Sequence, residues 1–128
     1  MLTVKIEENY KDALKEMGIE DKDGLYVMAM RDRELLMGVG IMRIFDGFAS
    51  LDNICMKDEF KGFELEFGMG KSMLNFLDLK GIRNVTTNIS DERLVTALRF
   101  KTVSESECDF AGDWIYCLNL DGYFASNC

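Results

Sequence analysis

The chain has 128 residues, 48% of them apolar, so we expect a single compact domain spanning residues 1–128 with a real hydrophobic core. Its formal net charge of −8 disfavours binding to nucleic acids and to anionic membranes, since both call for clustered Lys and Arg. The absence of histidine excludes Ser-His and Cys-His nucleophilic catalysis, because both need an imidazole to take a proton near neutral pH.

The first half of the chain predicts a strand, a short helix and three further strands. The opening LTVKIEE alternates between apolar and polar residues as a strand does, and NYKDALKEMG predicts a helix capped by Asn9 and ended by Gly18. Three β-rich runs follow, LYVMAM, LLMGVGIMRIF and FASLDNICM. Asp46-Gly47 lies between the last two runs and is a strong hairpin signal. These features together predict an antiparallel meander.

The segment FKGFELEFGMGKSML, residues 60–74, offers two starting points for a phosphate-binding helix. Its GMGKS part looks like a P-loop, but the first glycine of the GxxxxGK pattern is missing. A helix from Phe63 to Lys80, ended by Gly81, instead collects the apolar residues into one continuous stripe. That stripe consists of Leu65, Met69, Met73, Phe76 and Leu77. We therefore predict the long helix and place both glycines of GMGKS inside it.

The remaining segments predict a strand, a helix and a closing strand. They are IRNVTTNI, then SDERLVTALRF with Ser90 or Asp91 as its cap, then WIYCLNL behind the turn at residues 111–113. A helix between two strands predicts a right-handed crossover with parallel pairing. The predicted order is β-α-β-β-β-α-β-α-β-β, in which a further strand without an assigned segment lies between the last helix and WIYCLNL, and this is an α+β fold with a mixed sheet.

This order resembles that of the GNAT superfamily of N-acetyltransferases over nearly the whole chain. After the fourth strand, GNAT proteins carry a run x-P-E-Y-R-G-x-G-x-G, and here MKDEFKGFELE occupies that place. Asp58 stands for the proline, Phe60 for the tyrosine and Lys61-Gly62 for the Arg-Gly pair. The match continues without a gap through the long helix, its terminal glycine and the fifth strand. The resemblance implies a GNAT-like acyl-CoA N-acyltransferase fold, with helices on both faces of the sheet.

The resemblance also implies acetyl-CoA as the cofactor, lying between splayed fourth and fifth strands. Main-chain groups near Ile54 and Met56 would pair with its pantetheine arm. The pyrophosphate would lie at the loop and first helical turn, which are formed by Lys61, Gly62, Phe63, Glu64, Leu65 and Glu66. Glu64 and Glu66 stand where the family has glycines. Either these carboxylates satisfy the helix terminus in place of a phosphate, or they merely cap and charge an exposed first turn.

Two residues are candidates for the catalytic chemistry. Asp52 lies on the predicted fourth strand, which faces the acceptor amine in the family, and it is our candidate general base. The alternative is a carboxylate that faces solvent. Asn88 at the end of the fifth strand would orient substrate or water, or would simply end the strand. The helix after that strand lacks the tyrosine with which many GNAT enzymes protonate the departing thiolate.

The four cysteines, Cys55, Cys108, Cys117 and Cys128, form no CxxC pair. They predict reduced and mostly buried thiols in a cytoplasmic protein, and we expect no metal site. The resemblance places Cys55 near the cofactor thioester, where a packing role is favoured because nothing nearby in sequence lowers its pKa. No stretch is long and apolar enough to cross a bilayer.

Two functions remain. In the first, an acyl group passes from acetyl-CoA to a small-molecule or peptide amine by direct attack, and the acidic residues would suit a cationic amine. In the second, the chain is a catalytically inactive GNAT-fold binding or regulatory domain that no longer binds coenzyme A, as Glu64, Glu66 and the missing tyrosine suggest. A homodimer stays open in either case.

Overall fold

A computed structural model describes residues 1–105 and 112–124, and its elements follow the predicted order. The strands are β1 (Leu2–Ile6), β2 (Leu25–Asp32), β3 (Leu35–Ile44), β4 (Ala49–Met56), β5 (Asn84–Thr87), β6 (Lys101–Thr102) and β7 (Tyr116–Asn119). The helices are α1 (Lys11–Glu16), α2 (Phe63–Leu79) and α3 (Glu92–Ala97), with 3-10 turns at Asp58–Phe60 and Val103–Glu105.

All seven strands belong to one mixed sheet with the order β1-β2-β3-β4-β5-β7-β6. Strands β1 to β4 pair antiparallel with their neighbours in sequence, which confirms the predicted meander. Strand β5 then pairs parallel with β4 after the crossover through α2, as predicted from a helix between two strands. Strand β7 lies between β5 and β6 and is antiparallel to both.

Helices cover both faces of the sheet, α2 and α3 on one face and α1 on the other, and this confirms the predicted arrangement. Side chains alternate along β2, so Met28 and Met30 belong to the larger core cluster, which includes buried residues of α2 and α3. Val27 and Ala29 belong to the smaller cluster on the other face, together with Leu14 of α1. Because β2 and β3 are buried on both faces, they read as nearly continuous apolar runs in the sequence.

Helix α2 occupies the register predicted from the apolar stripe. It buries Met69, Met73, Leu74 and Leu77, and the chain leaves the helix at Gly81, whose φ of +81° favours glycine. The GMGKS segment therefore lies within the helix and not in a phosphate-binding loop, as predicted.

The predicted cap is wrong for α1, and one of the two predicted caps is right for α3. The N-cap of α1 is Tyr10, without a side-chain hydrogen bond, so the prediction of Asn9 is wrong by one residue. Asp91 caps α3, because its Oδ1 accepts a hydrogen bond of 3.1 Å from the backbone N–H of Leu94. That bond identifies Asp91, and not Ser90, as the cap.

The expectation of reduced thiols is wrong for Cys117, which is disulfide-bonded. Cys55 is a free thiol. Cys108 and Cys128 lie outside the described residues. Among the helices of the described residues, none is long and apolar enough to cross a membrane.

The two glycines inside α2 give a matched test of packing in this helix. We expect Gly68→Ala to raise the free energy of unfolding by about 1 kcal/mol, since alanine has the higher helix propensity and a Cβ at Gly68 would meet no atom within 4 Å. At Gly70 a Cβ would lie 2.7 Å from Cδ1 of Leu98. Gly70→Ala should therefore gain less stability or lose some. Urea unfolding measures both, and equal gains would contradict this account.

Candidate active site

Strands β4 and β5 diverge after the first three residues of β4. Their pairing covers only Ala49 to Leu51 against Val85 to Thr87, whereas the β3–β4 pairing continues as far as Met56. The hydroxyl of Thr87 closes the paired part by donating to the carbonyl of Leu51 at 2.7 Å. Beyond this point the β5 side of β4 has no strand partner among the described residues. The splayed strands that the resemblance implied are thus present.

Helix α2 begins at the open end of this gap with free backbone donors. Its first main-chain bond runs from Glu66 N–H to Gly62 C=O at 3.1 Å, and Gly62 makes no side-chain cap bond. Within the described part of the chain, no acceptor bonds the N–H groups of Gly62, Phe63, Glu64 and Leu65. A Cβ at Gly62 would meet nothing within 4 Å. The positive end of a 17-residue helix is therefore accessible to an anion.

The charged side chains around this helix end do not occupy it. Glu64 is exposed and Glu66 is partly buried, but neither caps the free N–H groups, since the helix has no side-chain cap bond. Lys61 Nζ instead pairs with Asp58 Oδ1 at 2.9 Å. This hydrogen bond raises the pKa of Lys61 and lowers the pKa of Asp58. The hypothesis that the glutamates fill the anion site therefore has no support from a hydrogen bond among the described residues.

The residues of β4 beyond the paired part alternate between the two faces of the sheet. Ile54 and Met56 are 9% and 3% exposed and belong to the core cluster beneath α2. Cys55 packs against the cluster on the α1 face. Lys57 N–H donates to Met37 C=O at 2.9 Å. By the alternation of an antiparallel ladder, the main-chain groups of Ile54 and Met56 therefore face away from β3 and toward the gap. The Cys55 side chain is packed on the opposite face.

A cleft of about 470 Å³ adjoins the point where β4 and β5 diverge. Both predicted catalytic residues, Asp52 and Asn88, line it. Its lining consists of Lys22, Asp23, Leu25, Arg43, Asp52, Asn88 and Trp114. Arg43 and Trp114 were not predicted from the sequence. The available signal for Arg43 was a charged residue inside the otherwise apolar run LLMGVGIMRIF.

Asp52 is held in this cleft by three hydrogen bonds. Arg43 donates Nε to Oδ2 at 2.5 Å and Nη2 to Oδ1 at 3.2 Å, and Ser50 Oγ donates to Oδ1 at 2.6 Å. The hydrogen bond to Asp52 raises the pKa of the Arg43 guanidinium above its usual value. A carboxylate offers about four acceptor positions, so roughly one remains for a group in the cleft. Only 21% of the Asp52 side chain is exposed.

A β-bulge places Asp52 in this position. Ile41 pairs with Asn53 and Met42 pairs with Leu51, which leaves Asp52 as the extra residue on β4. The register thus changes at the one strand position that carries the candidate carboxylate. Such a shift depends on the partner strand and has no local signature in the sequence of β4.

The amide of Asn88 is engaged in holding the loop before β7. Its Nδ2 donates to the carbonyl of Asp113 at 2.8 Å, and its Oδ1 accepts from the N–H of Ile115 at 2.7 Å. Trp114 lies between these two anchor points and lines the cleft. Its ring centroid lies 6.0 Å from the Arg43 guanidinium carbon. Asn88 therefore positions one wall of the cleft.

No family model matches the sequence, and no curated protein matches it significantly. Solved structures match its fold, among them the ribosomal-protein-S18-alanine N-acetyltransferase from Escherichia coli, with 14% identity, coverage of 93% of this chain and 94% of that chain, and a TM-score of 0.71. A GNAT family acetyltransferase from Elizabethkingia anophelis with acetyl-CoA bound matches at 9% identity, 92% and 94% coverage and a TM-score of 0.59. The Paia N-acetyltransferase from Thermoplasma acidophilum in complex with coenzyme A matches at 13% identity, 84% and 65% coverage and a TM-score of 0.56. The chain therefore has the GNAT acetyltransferase fold.

Proposed function

We propose that this chain is an acetyl-CoA-dependent N-acetyltransferase in which an amine attacks the thioester directly. The observation that carries the proposal is the open N-terminus of α2, with its free backbone N–H groups, at the mouth of the gap between β4 and β5. Two solved structures of similar fold hold acetyl-CoA or coenzyme A. The cleft that contains Asp52 adjoins the same strand divergence.

The residues at the gap suit the parts of coenzyme A. The N–H groups from Gly62 to Leu65 would hold the pyrophosphate, because free donors and the helix dipole favour an anion there. The main chain at Ile54 and Met56 would pair with the pantetheine arm. Acetyl-CoA would supply the activated acyl group as a thioester.

The cleft residues would orient the amine. Asp52 has one acceptor position left, which would bind the ammonium group of the substrate or a water that takes the proton of that ammonium group. Arg43 keeps the carboxylate in place. The lining balances two carboxylates, Asp23 and Asp52, against Lys22 and Arg43. A cationic small-molecule or peptide amine as the acceptor therefore rests on the net charge of −8 of the chain, with Asp23 as the carboxylate that would attract it. Most of the rate enhancement would come from bringing the reactants together in the right geometry.

A second function, a binding or regulatory domain without coenzyme A, is favoured by Glu64 and Glu66. A carboxylate about 4 Å from a phosphate costs roughly 1 kcal/mol in water and several times that near a protein surface. Asp58 already pairs with Lys61, so this lysine offsets only part of the repulsion.

Acetyl-CoA binding distinguishes the two functions. We expect a thermal-shift titration to show stabilisation that grows with ligand concentration, reaching about 2.7 kcal/mol at 100 times the dissociation constant. ATP at matched ionic strength is the control, since it carries phosphates without a pantetheine arm. Absence of a shift at millimolar acetyl-CoA would support the second function.

A further inference from the structure

Strand β1 forms one edge of the sheet, and β2 is its only strand neighbour among the described residues. The ladder between them is flanked by two main-chain hydrogen bonds, Glu7 N–H to Val27 C=O at 2.9 Å and Arg33 N–H to Met1 C=O at 3.2 Å. Hydrogen-bonded and non-bonded pairs alternate along an antiparallel ladder. These two bonds therefore determine which β1 residues bond to β2.

The alternation assigns the backbone groups of Thr3 and Lys5 to β2 and those of Leu2, Val4 and Ile6 to the open edge. The side chains of Val4 and Ile6 pack against the core on the α2 face, and Leu2 is 49% exposed. The outer edge thus offers three residues whose N–H and C=O groups have no partner in the described part of the chain, and an apolar row on the α2 face. Such an edge is a template for a further strand.

A groove of about 460 Å³ runs along this edge, between β1 and α2. Val4 and Ile6 form one wall, and Phe76 and Leu79 belong to the other. Leu79 is 78% exposed and adds apolar surface to this wall. A strand added to β1 would place its alternate side chains in this groove, beneath the exposed side of α2.

We propose that the added strand is β1 of a second copy of this chain, paired antiparallel about a two-fold axis at Val4. The sheet would then continue through both subunits. In this register Val4 opposes Val4 of the partner subunit, and Leu2 opposes Ile6 of the partner subunit. All the outward N–H and C=O groups of Leu2, Val4 and Ile6 are then bonded.

The sequence of β1 is complementary to itself in this register. Lys5 opposes Thr3 of the partner subunit, so no like charges face each other. A shift by two residues in one direction would bring Lys5 opposite Lys5 of the partner subunit, and a shift in the other would leave the outward groups of Ile6 unbonded. The strand has no glycine or proline and no bulge against β2, so none of these features prevents pairing.

Light scattering after size exclusion tests the assembly, and cysteine crosslinking tests its register. We expect a mass about twice the 14.6 kDa of the chain at tens of micromolar protein. Oxidised Val4→Cys should form a covalent dimer, because directly opposed bonded residues have Cα atoms about 5.5 Å apart, within disulfide range. Leu2→Cys is the matched control, since the Cα atoms of its two copies would lie about 14 Å apart. Wild type under the same oxidation gives the background from native thiols.

A further variant separates dimerisation from folding. Val4→Pro removes an outward N–H and no bond to β2, so it should weaken the dimer at least tenfold while the thermal melt still shows a folded chain. A monomeric mass at every concentration would overturn the proposal. It would do so even if the edge binds a strand of a different protein, because the proposed occupant is a second copy of this chain. Equal crosslinking of Leu2→Cys and Val4→Cys would also overturn it, because the register would then be wrong.

Discussion

Replacing Glu64 and Glu66 together by glycine is expected to tighten coenzyme A binding by about tenfold or more, which is about 1.4 kcal/mol. The change removes two like charges near the free N–H groups of α2 and lets the backbone approach a pyrophosphate closely. Glycine lowers helix propensity by about 1 kcal/mol per site, so the double variant should melt earlier while binding better. Isothermal titration at constant ionic strength measures the affinity separately from the stability.

Two controls show whether charge or backbone access is responsible. Glu64→Gln with Glu66→Gln removes only the charge and should recover part of the gain. Glu59→Gln changes the same charge in the 3-10 turn before the helix and should have little effect. Most of the gain should disappear with pantetheine, which lacks the pyrophosphate. Equal or weaker binding by the glycine variant would show that these glutamates do not restrict the cofactor site.

Replacing Asp52 by asparagine is expected to lower kcat about 100-fold, the lower end of the contribution of a general acid or base. The substitution keeps the size of the side chain but removes the carboxylate that would accept the proton of the amine. The Arg43 side chain is 43% exposed, so loss of the ion pair should cost no more than about 1 kcal/mol of stability. Release of free thiol from acetyl-CoA with a panel of primary amines measures the rate.

Asp23→Asn is the matched control, because it makes the same chemical change in the same cleft. We expect it to raise KM for a cationic amine while kcat changes little, since Asp23 would attract the substrate without taking its proton. A fall in kcat of equal size in both variants would show that only the total charge of the cleft matters. Unchanged kcat in Asp52→Asn would remove Asp52 from the mechanism.

The sequence was sufficient to predict the order of the elements and the register of α2. These features depend on local patterns, since an apolar stripe identifies the buried face of a helix and Gly81 supplies the left-handed residue that ends it. The hairpin at Asp46-Gly47 is of the same kind, whereas the choice between Ser90 and Asp91 as the cap of α3 needed the structure. The candidate positions Asp52 and Asn88 came from the resemblance, and they do line one cleft.

The environment of those two residues was decided only by the tertiary structure. Arg43 reaches Asp52 from the neighbouring strand, and that contact depends on a bulge in the register of β3 against β4. Asn88 bonds a loop 25 residues further along the chain. The sequence by itself determined where helices and strands form, because propensity and periodicity act over a few residues. Which side chains meet in the cleft depends on strand register and chain crossing, which no local pattern contains.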